Sequence, residues 1–148
     1  MPKVITEVPG PKSKSIIETS RKYEPQSMGD QMHVVWDHAE GCVVWDVDGN
    51  EYLDWSSGVL VTNVGHCHPR YVEAVKAQCD KLFNCYDFVT EPRAQLAQKL
   101  VEITPEHIDK AFLVTTGTDA TEAAIRMARR VSPGYEIIGF DGAFHGRT

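Results

Sequence analysis

The sequence predicts an α/β protein, and the observations that predict it lie near the C-terminal end. "AFLVTT" (Ala111–Thr116) is a continuous apolar run closed by threonines, which is typical of a strand buried on both faces of a parallel sheet. From Gly117 to about Val131 the apolar residues recur at helical spacing. "EIIGF" (Glu136–Phe140) is a second short strand. Strand, helix and strand within about thirty residues form a βαβ unit.

The residues before this unit predict a hairpin and two helices. In "GCVVWDVDGNEYLDW" (Gly41–Trp55) two β-rich runs flank a turn, where Gly49 supplies the positive φ that tight turns need. After the loop "SSGVLVTNVGHCHP", Pro69 suits the first turn of a helix that extends to Asn84. A further helix is predicted over Pro92–Ile103.

Residues 1 to about 30 are polar and interrupted by prolines, which predicts an arm rather than a packed element. The prolines are Pro2, Pro9, Pro11 and Pro25.

The composition excludes several classes of partner. The chain has 148 residues, enough for about one domain, and a formal net charge of -6 with scattered Lys and Arg. Nucleic-acid modules usually carry a basic stripe, so no nucleic-acid partner is expected. No apolar stretch approaches the roughly 18 residues of a membrane span, and the N-terminus lacks the apolar middle of a secretion signal. We therefore expect a cytoplasmic protein, without a membrane partner, whose four cysteines are free thiols.

The junction between "AFLVTT" and its helix is a candidate phosphate site. A helix N-terminus offers free N–H groups and a partial positive charge, and Gly117 lets an anion approach because it has no Cβ. Thr116 and Thr118 can add hydroxyl donors. Glycine is also common at such turns in any parallel α/β protein, and Asp119 with Glu122 is compatible with a simple capping pair. Neither G-x-x-x-x-G-K-[ST] nor G-x-G-x-x-G is present.

A second candidate segment is "GFDGAFHGRT", at the end of the next strand and so at the same carboxyl edge of the sheet. Phe144 and His145 could lie against a flat ligand, and Arg147 could pair with a carboxylate. Taken singly, Phe144 could equally be a core residue and Arg147 a solvated charge. Together, a phosphate, a flat ring and a carboxylate describe pyridoxal phosphate with an amino acid.

Several motifs resemble class III aminotransferases, pyridoxal-phosphate enzymes of fold type I that include ornithine, acetylornithine and 4-aminobutyrate aminotransferases. "TTGTDATEAAIRMAR" and "GAFHGRT" resemble the family's phosphate loop and ring-stacking motif. "VVWDVDGNEYLDWSSGVLVTNVGHCHP" resembles its N-terminal hairpin and G-H-x-H-P loop. The resemblance implies the N-terminal part of a fold type I transferase. Residues 1–30 would be an arm, 31–61 a small-domain hairpin, and 62–148 the start of a large, mostly parallel-sheet cofactor domain.

The resemblance also implies roles for individual residues. The cofactor pyridoxal 5'-phosphate would be bound by Gly117, Thr118, Phe144 and His145. Of these, Gly117 and Thr118 would hold the phosphate, and Phe144 would stack on the pyridine ring with His145 beside it. Arg147 would receive a substrate carboxylate, and Val59 would face the substrate. Asp119 departs from the glutamate expected there, a conservative change.

His66 and His68 form an H-x-H pair that could chelate a metal. No third ligand with sensible spacing is found, so no metal site is predicted. The resemblance instead implies that both lie in a loop near the cofactor and the subunit interface.

The chemistry of the cofactor needs a Schiff-base lysine and an aspartate at the pyridine nitrogen. In the family both are expected downstream, and no lysine of this chain matches the lysine motif. The resemblance therefore implies no catalytic residue here, an inactive chain on its own, and partners in the rest of its polypeptide or a complementary chain, within a homodimer. The reaction would move an amino group between an amino acid, ω-amino acids included, and a 2-oxo acid. An epimerase, mutase or decarboxylase of the same family, and a non-catalytic phosphate-binding or interaction module, stay open as alternatives.

Overall fold

The computed structural model describes residues 2–27 and 32–147, which divide into two compact units, Met1–Phe83 and Asn84–Thr148. The elements of the first unit are α1 (Pro11–Tyr23), β1 (Trp36–Glu40), β2 (Val43–Asp46), β3 (Glu51–Leu53), the single turn α2 (Ser57–Leu60) and α3 (Pro69–Lys81). Those of the second unit are α4 (Glu91–Glu102) and α5 (Gly117–Val131). No helix of these described ranges is both long and apolar enough to cross a membrane.

The predicted hairpin is confirmed and forms the centre of the first unit. Strands β1, β2 and β3 make an antiparallel sheet in that order, with Val44 opposite Tyr52 in the β2–β3 pair. The turn between β2 and β3 contains Gly49 at φ +86°, the left-handed conformation that favours glycine. Val44 is the buried apolar residue of this sheet, so the apolar core of the unit is small.

A polar network attaches the N-terminal residues to the hairpin. The Oδ1 atom of Asn50, which is fully buried, accepts hydrogen bonds from the N–H groups of Ile5 at 2.7 Å and Thr6 at 2.9 Å. Its Nδ2 donates to Thr6 Oγ1 at 2.8 Å and to Asp46 Oδ2 at 2.7 Å. All four polar sites of this amide group thus lie within 3 Å of a partner, as a buried amide requires.

The expectation that residues 1 to about 30 hold no packed element is wrong, because α1 occupies part of this segment. Asp48 of the hairpin turn caps the helix, accepting hydrogen bonds from the N–H groups of Lys12 and Ser13 and from the Ser13 hydroxyl. Pro11 was counted as a helix breaker, yet a first-turn position suits proline. The cap comes from 36 residues along the chain, so no local pattern reveals it. The domain boundaries themselves stay predictions.

The second unit confirms its helices but not its predicted strands. Helix α5 spans Gly117–Val131 as predicted, and α4 begins one residue before the predicted start. The segments Ala111–Thr116 and Glu136–Phe140 form no ladder among the described residues, so the predicted parallel strands are not present as such. A strand is stabilised by hydrogen bonds to a neighbouring strand, and among the described residues neither segment has such a neighbour. Their apolar side chains are consequently exposed, with Ile138 at 99%.

Candidate functional site

The N-terminus of α5 leaves backbone donors open. Thr116 is its N-cap residue in an extended conformation, and its Oγ1 accepts the N–H of Asp119 at 3.1 Å. The N–H of Ala120 donates to the carbonyl oxygen of Thr116 at 3.0 Å. Among the described residues no acceptor is found for the N–H groups of Gly117 and Thr118. The side-chain cap is thus Thr116, and it leaves two adjacent first-turn donors available.

Gly117 faces open space at this helix start. A Cβ built on Gly117 would meet no heavy atom within 4 Å apart from its chain neighbours and its own helix backbone, so the space beside its Cα is open among the described residues. The helix dipole adds a partial positive charge at the same place. Two free donors, an uncovered backbone and a positive dipole end are the properties that an anion needs at a helix N-terminus.

The loop "GAFHGRT" returns to this helix start. The N–H of Arg147 donates to Thr118 Oγ1 at 3.3 Å. Gly146 has φ +116°, and a Cβ there would lie only 2.7 Å from Thr118 Oγ1. Only glycine combines this conformation with so close an approach. The structure therefore brings together the two segments that the sequence placed at one edge of the predicted sheet.

The other cofactor residues predicted from the sequence lie in the same loop. Phe144 is 80% exposed, so it is not a core residue of this unit. His145 approaches the backbone of Gly139, with its Nε2 3.7 Å from the position of a Cβ there. Phe144 follows a turn in which the N–H of Ala143 donates to the Phe140 carbonyl at 3.2 Å. The loop thus presents an aromatic ring to its surroundings.

Val59 lies in the first unit, in a turn that sequence analysis did not anticipate. All four residues of α2 have positive φ, from 56° at Ser57 to 67° at Leu60. For L-residues the left-handed conformation costs roughly 1–2 kcal/mol each, and a β-branched residue such as Val59 is a marked outlier. Val59 is 75% exposed, so its own packing does not hold it there.

Asp54 supplies the hydrogen bonds around this turn. Its carboxylate accepts the N–H of Ser56 at 2.8 Å, the Ser56 hydroxyl at 2.7 Å and the N–H of Gly58 at 2.8 Å. It also pairs with His66 Nε2 at 2.7 Å, and the two side chains are only 4% and 11% exposed. The hydrogen bonds from His66 and then Ser56 outweigh the effect of burial and hold the pKa of the Asp54 carboxyl well below its usual range. Asp54 is therefore ionised at neutral pH.

His66 is itself fixed on the hairpin. Its backbone exchanges two hydrogen bonds with Gly41, at 3.0 Å and 2.8 Å. Its ring meets the ring of Trp36 edge to face, with centroids 5.7 Å apart. From the sequence, His66 was a possible metal ligand with His68, and the resemblance implied only that both lie in a loop near the cofactor and the subunit interface. Within the described ranges no group of three or more His, Cys, Asp or Glu side chains could hold a metal ion.

Aspartate followed two residues later by serine is the local signal that could have indicated the Asp54 turn.

Comparison with known proteins assigns the family. The family model for class-III aminotransferases matches residues 25–148, and the chain belongs to this family. It is 44% identical over 110 residues to acetylornithine aminotransferase from Methanopyrus kandleri, covering 74% of this chain and 28% of that protein. It is 40% identical over 140 residues to 4-aminobutyrate aminotransferase from Escherichia coli, covering 92% and 33%. The chain thus spans about a third of the length of these curated relatives.

A solved structure gives the same result for the fold. Ornithine aminotransferase from Toxoplasma gondii, described with partial occupancy of pyridoxal phosphate at its active site, superposes with a TM-score of 0.74 at 29% identity. The alignment covers 92% of this chain and 33% of that one. The predicted fold class, part of a fold type I pyridoxal-phosphate-dependent transferase, is confirmed. The predicted cofactor is confirmed at the level of the family, because class III aminotransferases are pyridoxal-phosphate enzymes.

Proposed function

We propose that this chain binds the phosphate and ring of pyridoxal phosphate in an aminotransferase that moves an amino group between an amino acid and a 2-oxo acid. The observation that carries the proposal is the open start of α5. There the N–H groups of Gly117 and Thr118 lack partners among the described residues, and the loop at Arg147 folds back onto Thr118. An anion is the ligand class that this arrangement fits.

The phosphate is the part of the cofactor that fits this helix start. The N–H groups of Gly117 and Thr118 would donate to phosphate oxygens, each bond to a charged acceptor contributing about 1.5–3 kcal/mol. The hydroxyl of Thr118 accepts the N–H of Arg147, so its own proton stays available to donate to a third oxygen. One threonine would thereby connect the phosphate with the loop that carries the ring-binding residues.

The ring and the substrate carboxylate are assigned to the same loop. Phe144 is exposed and lies three residues from the contact with Thr118, which supports stacking against a flat ring, with His145 beside it. Arg147 would receive the substrate carboxylate in a bidentate pair. Val59, exposed in its left-handed turn, would contact the amino-acid substrate.

Bound pyridoxal phosphate supplies the electron sink that amino-group transfer requires. The residues of this chain bind and orient it, while the Schiff-base lysine and the aspartate at the pyridine nitrogen would come from sequence outside these 148 residues. We further propose that the complete enzyme is a cytoplasmic homodimer. An ω-amino acid is the proposed amino donor, since similar proteins are named as aminotransferases of 4-aminobutyrate and acetylornithine.

The test is to produce this chain together with the sequence that completes the family fold, and to measure pyridoxal-phosphate binding and amino transfer. The expected result is a cofactor absorbance change and 2-oxoglutarate-dependent consumption of 4-aminobutyrate or acetylornithine. The chain on its own is expected to transfer no amino group. Absence of any absorbance change would identify a non-catalytic module. Cofactor-dependent conversion of an amino acid without a 2-oxo acid would identify an epimerase, mutase or decarboxylase.

A further inference from the structure

We propose that Asp54 and His66 are positioning residues that fix the left-handed turn α2 and thereby determine where Val59 meets the amino-acid substrate. The inference rests on the proposed function, which makes Val59 a substrate contact. Asp54 and His66 are two further residues that would affect substrate binding, and both act through the turn rather than by contacting the substrate. Neither residue has a positioning role in the expectations drawn from the sequence.

The turn does not determine its own handedness. The N–H of Leu60 donates to the Ser56 carbonyl at 2.7 Å, and the N–H of Val61 to the Ser57 carbonyl at 2.9 Å. Bonds of this spacing form in a helical turn of either hand, and L-residues prefer the right-handed one. A strained conformation persists only where its surroundings determine it, and such conformations cluster at functional sites. The cause of the left-handed turn must therefore lie in groups that contact it.

Asp54 is the group that contacts the turn most extensively. Its Oδ2 accepts the N–H of Gly58, the residue before Val59, while its Oδ1 accepts both the N–H and the hydroxyl of Ser56. One carboxylate therefore binds both Ser56, which precedes the turn, and Gly58 in its middle. Thr62 bonds the turn only through its backbone, whose N–H donates to the Ser57 carbonyl at 2.8 Å, while its buried Oγ1 has no partner among the described residues.

His66 holds the carboxylate of Asp54 in place. Its Nε2 lies 2.7 Å from the same Oδ2 that receives Gly58, and its backbone is bonded twice to Gly41. Gly58 also packs close to the imidazole, since a Cβ on Gly58 would lie 3.7 Å from His66 Cε1. A continuous series of contacts thus leads from the hairpin through His66 and Asp54 to the residue before Val59.

The first test is Asp54→Asn in the complete enzyme. The amide keeps the size of the side chain but replaces one accepting oxygen with a donor, so the turn loses at least one bond. We expect the KM for the amino-acid substrate to rise about tenfold, while the Kd for pyridoxal phosphate stays within about twofold. In a Val59→Ala background the same substitution should raise KM about twofold or less, because the pair acts through Val59.

The matched control is Asp37→Asn. Asp37 also pairs with a histidine, His38, at 2.8 Å, but both side chains are largely exposed, and no hydrogen bond from either to the turn is found among the described residues. Its substitution should leave both KM and the cofactor Kd unchanged.

A purely structural role would lower cofactor affinity together with substrate affinity, so an equal loss of both would overturn the inference. An unchanged KM in Asp54→Asn, or a full effect in the Val59→Ala background, would also overturn it. If Asp54→Asn does not fold, the comparison of His66→Gln with His66→Ala decides. Glutamine keeps an N–H donor for Asp54 and should retain a lower KM than alanine, whereas equal KM values would contradict the proposal. An enzyme that binds no pyridoxal phosphate before any substitution would refute the proposed function, and this inference with it.

Discussion

Replacing Gly117 with valine should separate cofactor binding from folding. A Cβ at this position would meet no heavy atom of the described protein within 4 Å, so the larger side chain costs the fold little. Residue 117 begins α5, where glycine is a poorer helix former than valine by a few tenths of a kcal/mol. The stability of the protein should therefore stay the same or rise slightly.

The affinity for pyridoxal phosphate, by contrast, should fall. The valine side chain would extend into the open space beside Gly117, next to the two N–H groups that have no partner among the described residues and where the phosphate is proposed to lie. Losing one charge-assisted hydrogen bond of about 1.5–3 kcal/mol corresponds to a roughly 10- to 150-fold higher Kd for pyridoxal phosphate. Even the lower limit, a roughly tenfold higher Kd, is easily measured.

The assay is a cofactor titration of the complete enzyme followed by absorbance, with thermal unfolding measured in parallel. Gly134→Ala is the matched control, since Gly134 lies in the same unit, has no strained φ, and a Cβ there would approach nothing closer than 3.9 Å. Unchanged affinity in Gly117→Val would refute the phosphate assignment. Equal losses of affinity in both variants would also refute it.

Three further predictions concern other residues. Phe144→Ala should lower pyridoxal-phosphate affinity by about 0.5–1.5 kcal/mol beyond the loss of contact area, without altering thermal unfolding; an unaltered titration would remove Phe144 from the site. Arg147→Ala should raise the KM for carboxylate substrates far more than it changes cofactor affinity, and equal turnover in both proteins would make Arg147 a surface charge. Burial and the hydrogen bond to Asp46 raise the pKa of Tyr52 to about 12, so this tyrosine stabilises the fold below about pH 10 and the contribution is lost as pH rises through about 12. Phenolate absorbance should show one tyrosine titrating near pH 12 that is missing in Tyr52→Phe, and identical curves would contradict the effect of the hydrogen bond to Asp46.

The parts of the fold that the sequence predicts are those determined by neighbouring residues. Helix α5 and the hairpin around Gly49 depend on apolar periodicity and on one turn, so both were predicted. Helix α1 depends on a cap from Asp48, 36 residues away, and was missed. The segments at 111–116 and 136–140 have the composition of strands. A strand also needs a neighbouring strand, which the sequence pattern does not provide.

The same distinction applies to the candidate site. The two segments proposed for the phosphate and the ring were singled out because each is a continuous motif. They meet through the contact between Arg147 and Thr118, although the strands expected to bring them to one sheet edge do not pair among the described residues. The positioning pair was not predicted. Asp54 and His66 are separated by a turn of unusual handedness, and the positive φ values of Ser57, Val59 and Leu60 leave no signal in the residue types themselves.

The most direct test of the central claim is an experimental structure of the complete enzyme with pyridoxal phosphate bound. We predict phosphate oxygens about 2.7–3.2 Å from the backbone nitrogens of Gly117 and Thr118, with the ring of Phe144 parallel to the pyridine. A phosphate bound elsewhere, with the start of α5 covered by protein atoms, would contradict it.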